Sequence, residues 1–345
     1  MQTTRRKFIG QMIAGSSCLA AFAGCQSHPK KRDSGLTETV LGHVQVDQLS
    51  VTLPHEHILV DFIGAAKISR DRYSLDDVIQ AALPHLQRIK ALGCQTLIEC
   101  TPAYIGRDPV LLKRLSAATG LNMLTNTGYY GAAQNKYLPE HALKESAAQL
   151  ADRWIREAKE GIEGTGIRPG FMKIGVDAGP LSDIHRKLVQ AAARAHWATG
   201  LSIASHTGNG AAALDQLAVL HAEGLKGEAF VWVHAQSESN PDIHAQAAEL
   251  GAWVEFDGIG PNSIPQHLKL VQGLRDRGFL NRVLLSHDAG WYHVGEPGGG
   301  NFRPFDTLFT TFVPELIKAG FSEAEIRQIT VLNPGQAFAI RVRGQ

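Results

Sequence analysis

Eight short runs rich in apolar and β-branched residues recur along residues 37–345, and each is followed by a stretch long enough to hold a helix. The first run ends at His57. The others are Gln95–Cys100, Asn122–Thr127, Gly170–Val176, Leu201–His206, Ala229–His234, Ala252–Asp257 and Arg282–Asp288. Helical stretches are expected at Leu75–Leu92, Asp108–Thr119, Glu140–Ile162, Asp183–Thr199 and Gly210–Ala222. Gly93, Gly120, Gly200, Gly224, Gly251 and Gly278 follow helical runs closely, where a C-terminal cap calls for a residue that accepts left-handed dihedrals. Eight strands alternating with helices predict an α/β fold, a (β/α)8 TIM barrel. The competing arrangement, an open doubly wound sheet, calls for a glycine-rich phosphate loop after an early strand. The chain has none there. Its glycine-rich run Gly161–Gly166 follows a helix and reads as a turn.

Composition narrows the function. A net charge of +1 leaves no electrostatic footprint for nucleic acid or an anionic membrane surface. Four cysteines in 345 residues are too few for a disulfide framework, and Cys94 and Cys100 read as packing residues. Residues 1–25 read as an export signal. Thr4–Ile9 resembles a twin-arginine motif, and the apolar run Met12–Ala23 is too short for a stable membrane span. Ala21-Phe22-Ala23 fits a cleavage site, and Ala23-Gly24-Cys25 fits the end of a lipobox with Cys25 acylated, although Phe22 is unusual there. Residues 26–36 read as a disordered tether. The expected location is periplasmic, with membrane contact only through the signal or a lipid anchor, and a homodimer stays open.

The strand ends carry the chemistry. In a barrel, active-site residues stand at the C-terminal ends of the strands. Here those ends supply His55 and His57, Lys173, His206, His234 and Asp288. His55 and His57 are two apart on one strand, so both imidazoles face the same side. Each residue alone has a plainer reading. The histidine pair could be half-buried with ordinary hydrogen bonds, His206 could cap Thr207-Gly208, Asp288 could be an N-cap, and Lys173 could pair with Asp177. Together those readings need a coincidence at five strand ends, and a metal site is preferred.

On these residues the chain resembles the phosphotriesterase family of the amidohydrolase superfamily. The matching pieces are Leu53–His57, Ile105–Asp108, Phe171–Lys173, Ser205–Thr207, Val233-His234 and Ser286–Trp291, in the family's order. Ser50 departs from a glycine often found ahead of the HxH pair. The resemblance implies two divalent metal ions, zinc by preference. His55, His57 and Asp288 would hold the more buried ion, and His206 and His234 the other. Lys173, as a carbamate, would bridge them together with a hydroxide. A plain ammonium beside two dications would be repelled, whereas a carbamate offers hard oxygens and negative charge.

The implied mechanism is hydrolysis of a small-molecule substrate by the bridging hydroxide, with Asp288 accepting the proton. His287 could be a relay or supporting group, or could face the helical layer. Glu99 could support a metal histidine, or pair with Arg107. Tyr104, Tyr129, Tyr130, Trp291 and Tyr292 are candidates for lining the mouth, or for packing loops on the rim. Gly295–Pro304 reads as a lid, and its Arg303 could meet an anionic substrate. Glu56 is expected to point away from the metals, without an assigned task. The favoured substrate is a lactone or other carboxylic ester, with phosphotriesterase side activity. An amidase acting on an N-acyl amino acid is the second reading, and a non-catalytic binding protein on the same barrel is the third.

Overall fold

The computed structural model describes residues 35–345. The twin-arginine motif and Cys25 lie outside the described residues. No helix among the described residues is long and apolar enough to cross a membrane.

The chain folds as a (β/α)8 barrel. Its strands are β1 (Thr52–Val60), β2 (Thr96–Glu99), β3 (Asn122–Leu124 continued by Asn126–Thr127), β4 (Phe171–Val176), β5 (Ile203–Thr207), β6 (Phe230–Val233), β7 (Trp253–Phe256) and β8 (Val283–Leu285). Each pairs in parallel with the next, from β1 through to β8. Such strands are covered on both faces, which is why all nine residues of β1 are buried.

The ring closes differently between β8 and β1. There the Asp288 N–H donates to the His55 carbonyl at 3.1 Å, and the His57 N–H to the Ala289 carbonyl at 3.0 Å. A short strand, β9 (Gly290–His293), then runs parallel to the upper half of β1.

The outer helices start where short polar side chains can hold their first free N–H groups. Ser74 caps α1 (Leu75–Ala91), Asp108 caps α2 (Pro109–Thr119), Ser182 caps α4 (Asp183–Thr199) and Asn209 caps α5 (Gly210–Ala222). The helical stretch expected over 140–162 holds two helices. Glu140–Lys144 stops, and α3 (Ala147–Glu160) begins afresh because Ser146 and Gln149 form a reciprocal capping box. Strand eight also ends earlier than expected, so Asp288 stands in the loop after it. The tether likewise ends sooner: Leu36–Thr39 pairs antiparallel with Gly42–Gln45, and Val40 bonds to Met123 at the foot of the barrel.

Strand alternation stacks apolar side chains at the foot and polar ones at the top. The inward sequence is Phe171 then Lys173 on β4, Ala204 then His206 on β5, and Trp253, Glu255 and Asp257 along and just beyond β7. Phe171, Ala204 and Trp253 join Ile98, Cys100, Leu124, Val231, Leu284 and Phe338 in a buried interior cluster. Phe171 and Phe338 meet edge to face at 5.3 Å. This floor fixes the height at which the polar layer begins.

Candidate metal centre

The structure brings His55, His57, Lys173, His206, His234 and Asp288 to one mouth. His57 Nε2 lies 3.0 Å and His55 Nε2 3.7 Å from Asp288 Oδ1. Lys173 Nζ is 3.5 Å from His55 Nε2, and no carboxylate lies within 4.0 Å of it among the described residues. The His206 and His234 rings are 4.6 Å apart, and those of His55 and His234 5.2 Å. Among the described residues, two sets have donor atoms close enough to share a cation: His55, His57 and Asp288, and His55, His234 and Asp257.

The outer nitrogens of three of these rings, those of His55, His57 and His234, are spoken for. His55 Nδ1 donates to Glu255 at 3.1 Å and lies 3.3 Å from Asp257. His234 Nδ1 is 2.7 Å from Asp257, whose other oxygen accepts the His234 backbone N–H at 3.0 Å. His57 Nδ1 is 2.7 Å from Thr101 Oγ1. The Thr101 hydroxyl donates its one proton to Glu99 at 2.5 Å, so it must accept from His57. In the neutral rings the Nε2 atoms of His55 and His57 then carry lone pairs. They face Asp288 Oδ1, which is buried and makes no hydrogen bond. Acceptors are aimed at an acceptor.

At His55 and His206 the electrostatics agree. Burial, then Lys173 and the neighbouring histidines, hold His55 well below the usual histidine range. Burial, then His234 and Lys173, do the same to His206. Burial works against the charge of His234, but Asp257 outweighs it and raises the ring's pKa. Burial likewise opposes ionisation of Asp257, yet His234 and the hydrogen bonds around it keep it low. Glu255 is driven well up by burial and by Asp257 beside it, so of the two neighbours Asp257 carries the charge.

Backbone strain gathers at this rim. His234 (φ 63°), Asp288 (φ 52°), Trp291 (φ 75°) and Tyr104 (φ 69°) are non-glycine residues in the left-handed region.

The remaining candidates divide. Tyr130 stacks 4.9 Å from His206, and Trp291 meets His57 edge-on at 5.3 Å. Tyr104 and Tyr129 pack on each other and on His141. They line a flanking cavity of about 590 Å³ with Tyr73, Arg107 and Arg153, and none of the six clustered residues lines it. Tyr292 is turned away from the mouth. Alternation along β9 sends it into the outer layer against Gly299, opposite to Trp291. The Gly295–Pro304 loop is pinned at Arg303, which exchanges two backbone bonds with Gly290 at 2.8 and 3.0 Å. The Arg303 guanidinium bonds to the Asp288 carbonyl and lies 4.9 Å over Trp291.

His287 faces the helical layer, with Nδ1 on Glu56 and Nε2 accepting from the Leu308 N–H. Glu99 reaches His57 through Thr101 and does not pair with Arg107, which is held by Glu157 and Glu163. Lys173 does not pair with Asp177, which accepts from the Ala133 and Gln134 N–H groups. Asn209, not His206, caps the helix after β5. Sequence reasoning missed Thr101, Glu255 and Asp257. The signal for the two acids was present: they repeat, at a strand end, the two-residue spacing of His55 and His57.

The phosphotriesterase family model matches residues 35–338. The chain belongs to the phosphotriesterase family. It is 34% identical over 300 residues to the phosphotriesterase homology protein of Escherichia coli, covering 85% of this chain and 99% of that one. It is 25% identical to the aryldialkylphosphatase of Saccharolobus solfataricus, covering 86% and 97%. It is 28% identical to the N-acetyltaurine hydrolase of Mus musculus, covering 88% and 97%. The solved organophosphorus hydrolase from Deinococcus radiodurans superposes with a TM-score of 0.80 at 28% identity, covering 91% of this chain and all of that one. The aryldialkylphosphatase, the N-acetyltaurine hydrolase and the organophosphorus hydrolase are hydrolases by name. This chain is a hydrolase of the same family, acting on a small molecule.

Proposed function

We propose that the protein is a zinc-dependent hydrolase of lactones or other carboxylic esters, with side activity on phosphotriesters. His55, His57 and Asp288 would hold one cation and His206 and His234 the other. Lys173, carboxylated, would join the two sets. The observation that carries this reading is the convergence of three potential ligand atoms, His55 Nε2, His57 Nε2 and Asp288 Oδ1, on one point. With the rings neutral, such an arrangement is a ligand set for a cation. The buried Lys173, with no counter-ion within 4.0 Å among the described residues, supports its modification in the same way.

Bound zinc would supply activation of a water and polarisation of the substrate's carbonyl or phosphoryl oxygen. The chain's own groups do the rest. Asp288, its side chain partly open to the mouth, takes the proton from the attacking water and returns it to the leaving group. Asp257 and the Thr101–Glu99 pair hold the histidine rings in one tautomer. Tyr130 and Trp291 wall the mouth with aromatic surface and exclude water beside His206 and His57.

Amide hydrolysis is the second reading, supported by the resemblance to N-acetyltaurine hydrolase. A panel of lactones, aryl esters, N-acyl amino acids and a paraoxon-like triester on zinc-loaded protein separates the two. Ester turnover with Lys173→Ala and Asp288→Asn inactive supports the first reading. Turnover confined to the amides selects the second, and variants with full activity would overturn the site.

We also place the protein in the periplasm by twin-arginine export, on the motif at Arg5 and Arg6. Changing both to lysine should trap precursor in the cytoplasm, and unchanged export would contradict it.

A further inference from the structure

Glu56 stands between the two histidines yet takes no part in the centre. Its side chain points to the other side of β1 and is fully buried. A buried carboxylate costs several kcal/mol unless its lone pairs are filled, and here they are. Oε1 accepts from Ser286 Oγ at 2.8 Å, from the His287 N–H at 3.0 Å and from His287 Nδ1 at 2.6 Å. Oε2 accepts from the Ala289 N–H at 2.9 Å. The four donors lie on both sides of Asp288 in the chain.

Asp288 itself sits at φ 52°, a conformation a non-glycine residue holds only when its surroundings fix it. Its own N–H goes to the His55 carbonyl, and Ser286 Oγ accepts the His55 N–H at 3.0 Å. Where β8 meets β1, a side chain on β1 thus takes N–H groups on either side of a strained residue. His287 extends the hold outward through its bond from Leu308.

The geometry points to Glu56 as the positioning residue for Asp288: by gripping residues 286, 287 and 289 it holds the Asp288 carboxylate against His55 and His57. This rests on the metal reading of Asp288 above. Glutamine is nearly isosteric but presents an NH2 group to donors, either to Ala289 or to the Ser286–His287 set. It should release one side of the grip while keeping the packing.

The test compares wild type with Glu56→Gln in two measurements. In metal-free protein, amide hydrogen exchange across 286–290 should rise at least tenfold in the variant, with α4 and α5 unchanged. With cobalt(II) as the probe, affinity by chelator competition should fall roughly 10–100-fold, the range for losing a group that orients a ligand. The cobalt absorption band should shift, and kcat should fall at least tenfold with KM within about twofold. Wild-type exchange at 286–290 overturns the proposal, and so does faster exchange with unchanged cobalt affinity and spectrum. If Glu56→Gln does not fold, Ser286→Ala, which removes one donor to Glu56 and also the acceptor of the His55 N–H, should raise exchange at 286–290 in metal-free protein by about threefold, and no movement there overturns the proposal equally. A wild type that binds no cobalt overturns the metal reading instead. The exchange comparison, made without metal, still decides whether Glu56 holds the segment.

Discussion

The chain has fifteen histidines, and those at the mouth differ from those buried elsewhere in how their nitrogens are used. In the outer layer, His196 donates from Nδ1 to the Leu201 carbonyl and accepts at Nε2 from the Arg343 N–H. His287 is likewise engaged at both nitrogens, by Glu56 and Leu308. His244 and His185 each place Nε2 on a backbone carbonyl. These rings are struts. At the mouth, His55, His57 and His234 engage Nδ1 with a carboxylate or a threonine backed by one, and Nε2 of His55 and His57 is turned toward Asp288. A ligand histidine is oriented from behind and left open in front. The ring type alone does not say which kind it is; the second hydrogen bond does.

The largest effects should come from groups in the open space. Asp288→Asn and Lys173→Ala are each expected to lower kcat/KM by about three orders of magnitude, within the range for losing an acid–base group or a metal ligand, while leaving the melting temperature nearly unchanged. A deficit under tenfold in steady-state assays would remove both residues from the machinery.

Next come the groups behind the rings. Asp257→Asn takes the orienting charge from His55 and His234 together. Zinc affinity by chelator competition should drop roughly 10–100-fold. Thr101→Val should show a smaller loss, because it orients His57 alone.

The struts should show the opposite pattern, with stability affected and the site spared. Burial holds His196 at about 4, so the folded protein keeps this ring neutral while the unfolded chain takes up a proton below the ordinary histidine value of about 6.5. Its contribution is full above pH 6.5 and drains away as pH falls toward 4. That loss is on the order of 3 kcal/mol. His196→Gln should be less stable at pH 7 but flatter across that window in urea melts, with kcat unchanged. An identical acid slope would show that another group controls it.

The smallest effect is expected from the flank. Tyr129→Phe removes a hydroxyl that meets His141 at 3.1 Å in the neighbouring cavity, and KM should change by less than about threefold. A large change would place substrate there.

How much of this was legible follows from the same distinction. The barrel was readable because eight apolar runs alternate with capped helices, and the six clustered residues because each stands in, or closely follows, one of those runs. Asp288 was found although strand eight stops at Leu285. Asp257 and Glu255 were passed over because two acids in an apolar strand resemble a solvated edge until the sheet is known to close around them. Thr101 gave no signal, since a threonine after a strand is common and its task depends on donating to Glu99 while accepting from His57. The choice between mouth and outer layer stayed open for Tyr292 because β9 was not anticipated, and the side each residue faces is set by its pairing with β1. The role of Glu56 depends on contacts 230 and more residues away, which local pattern does not carry.

The central claim, that this mouth is a two-cation site joined through Lys173, is tested most directly by metal content after zinc loading and gel filtration. The account predicts close to two equivalents per chain in the wild type and one or fewer in Lys173→Ala of matched melting temperature. A wild type holding almost no zinc, or a Lys173→Ala variant that keeps both equivalents, would contradict it.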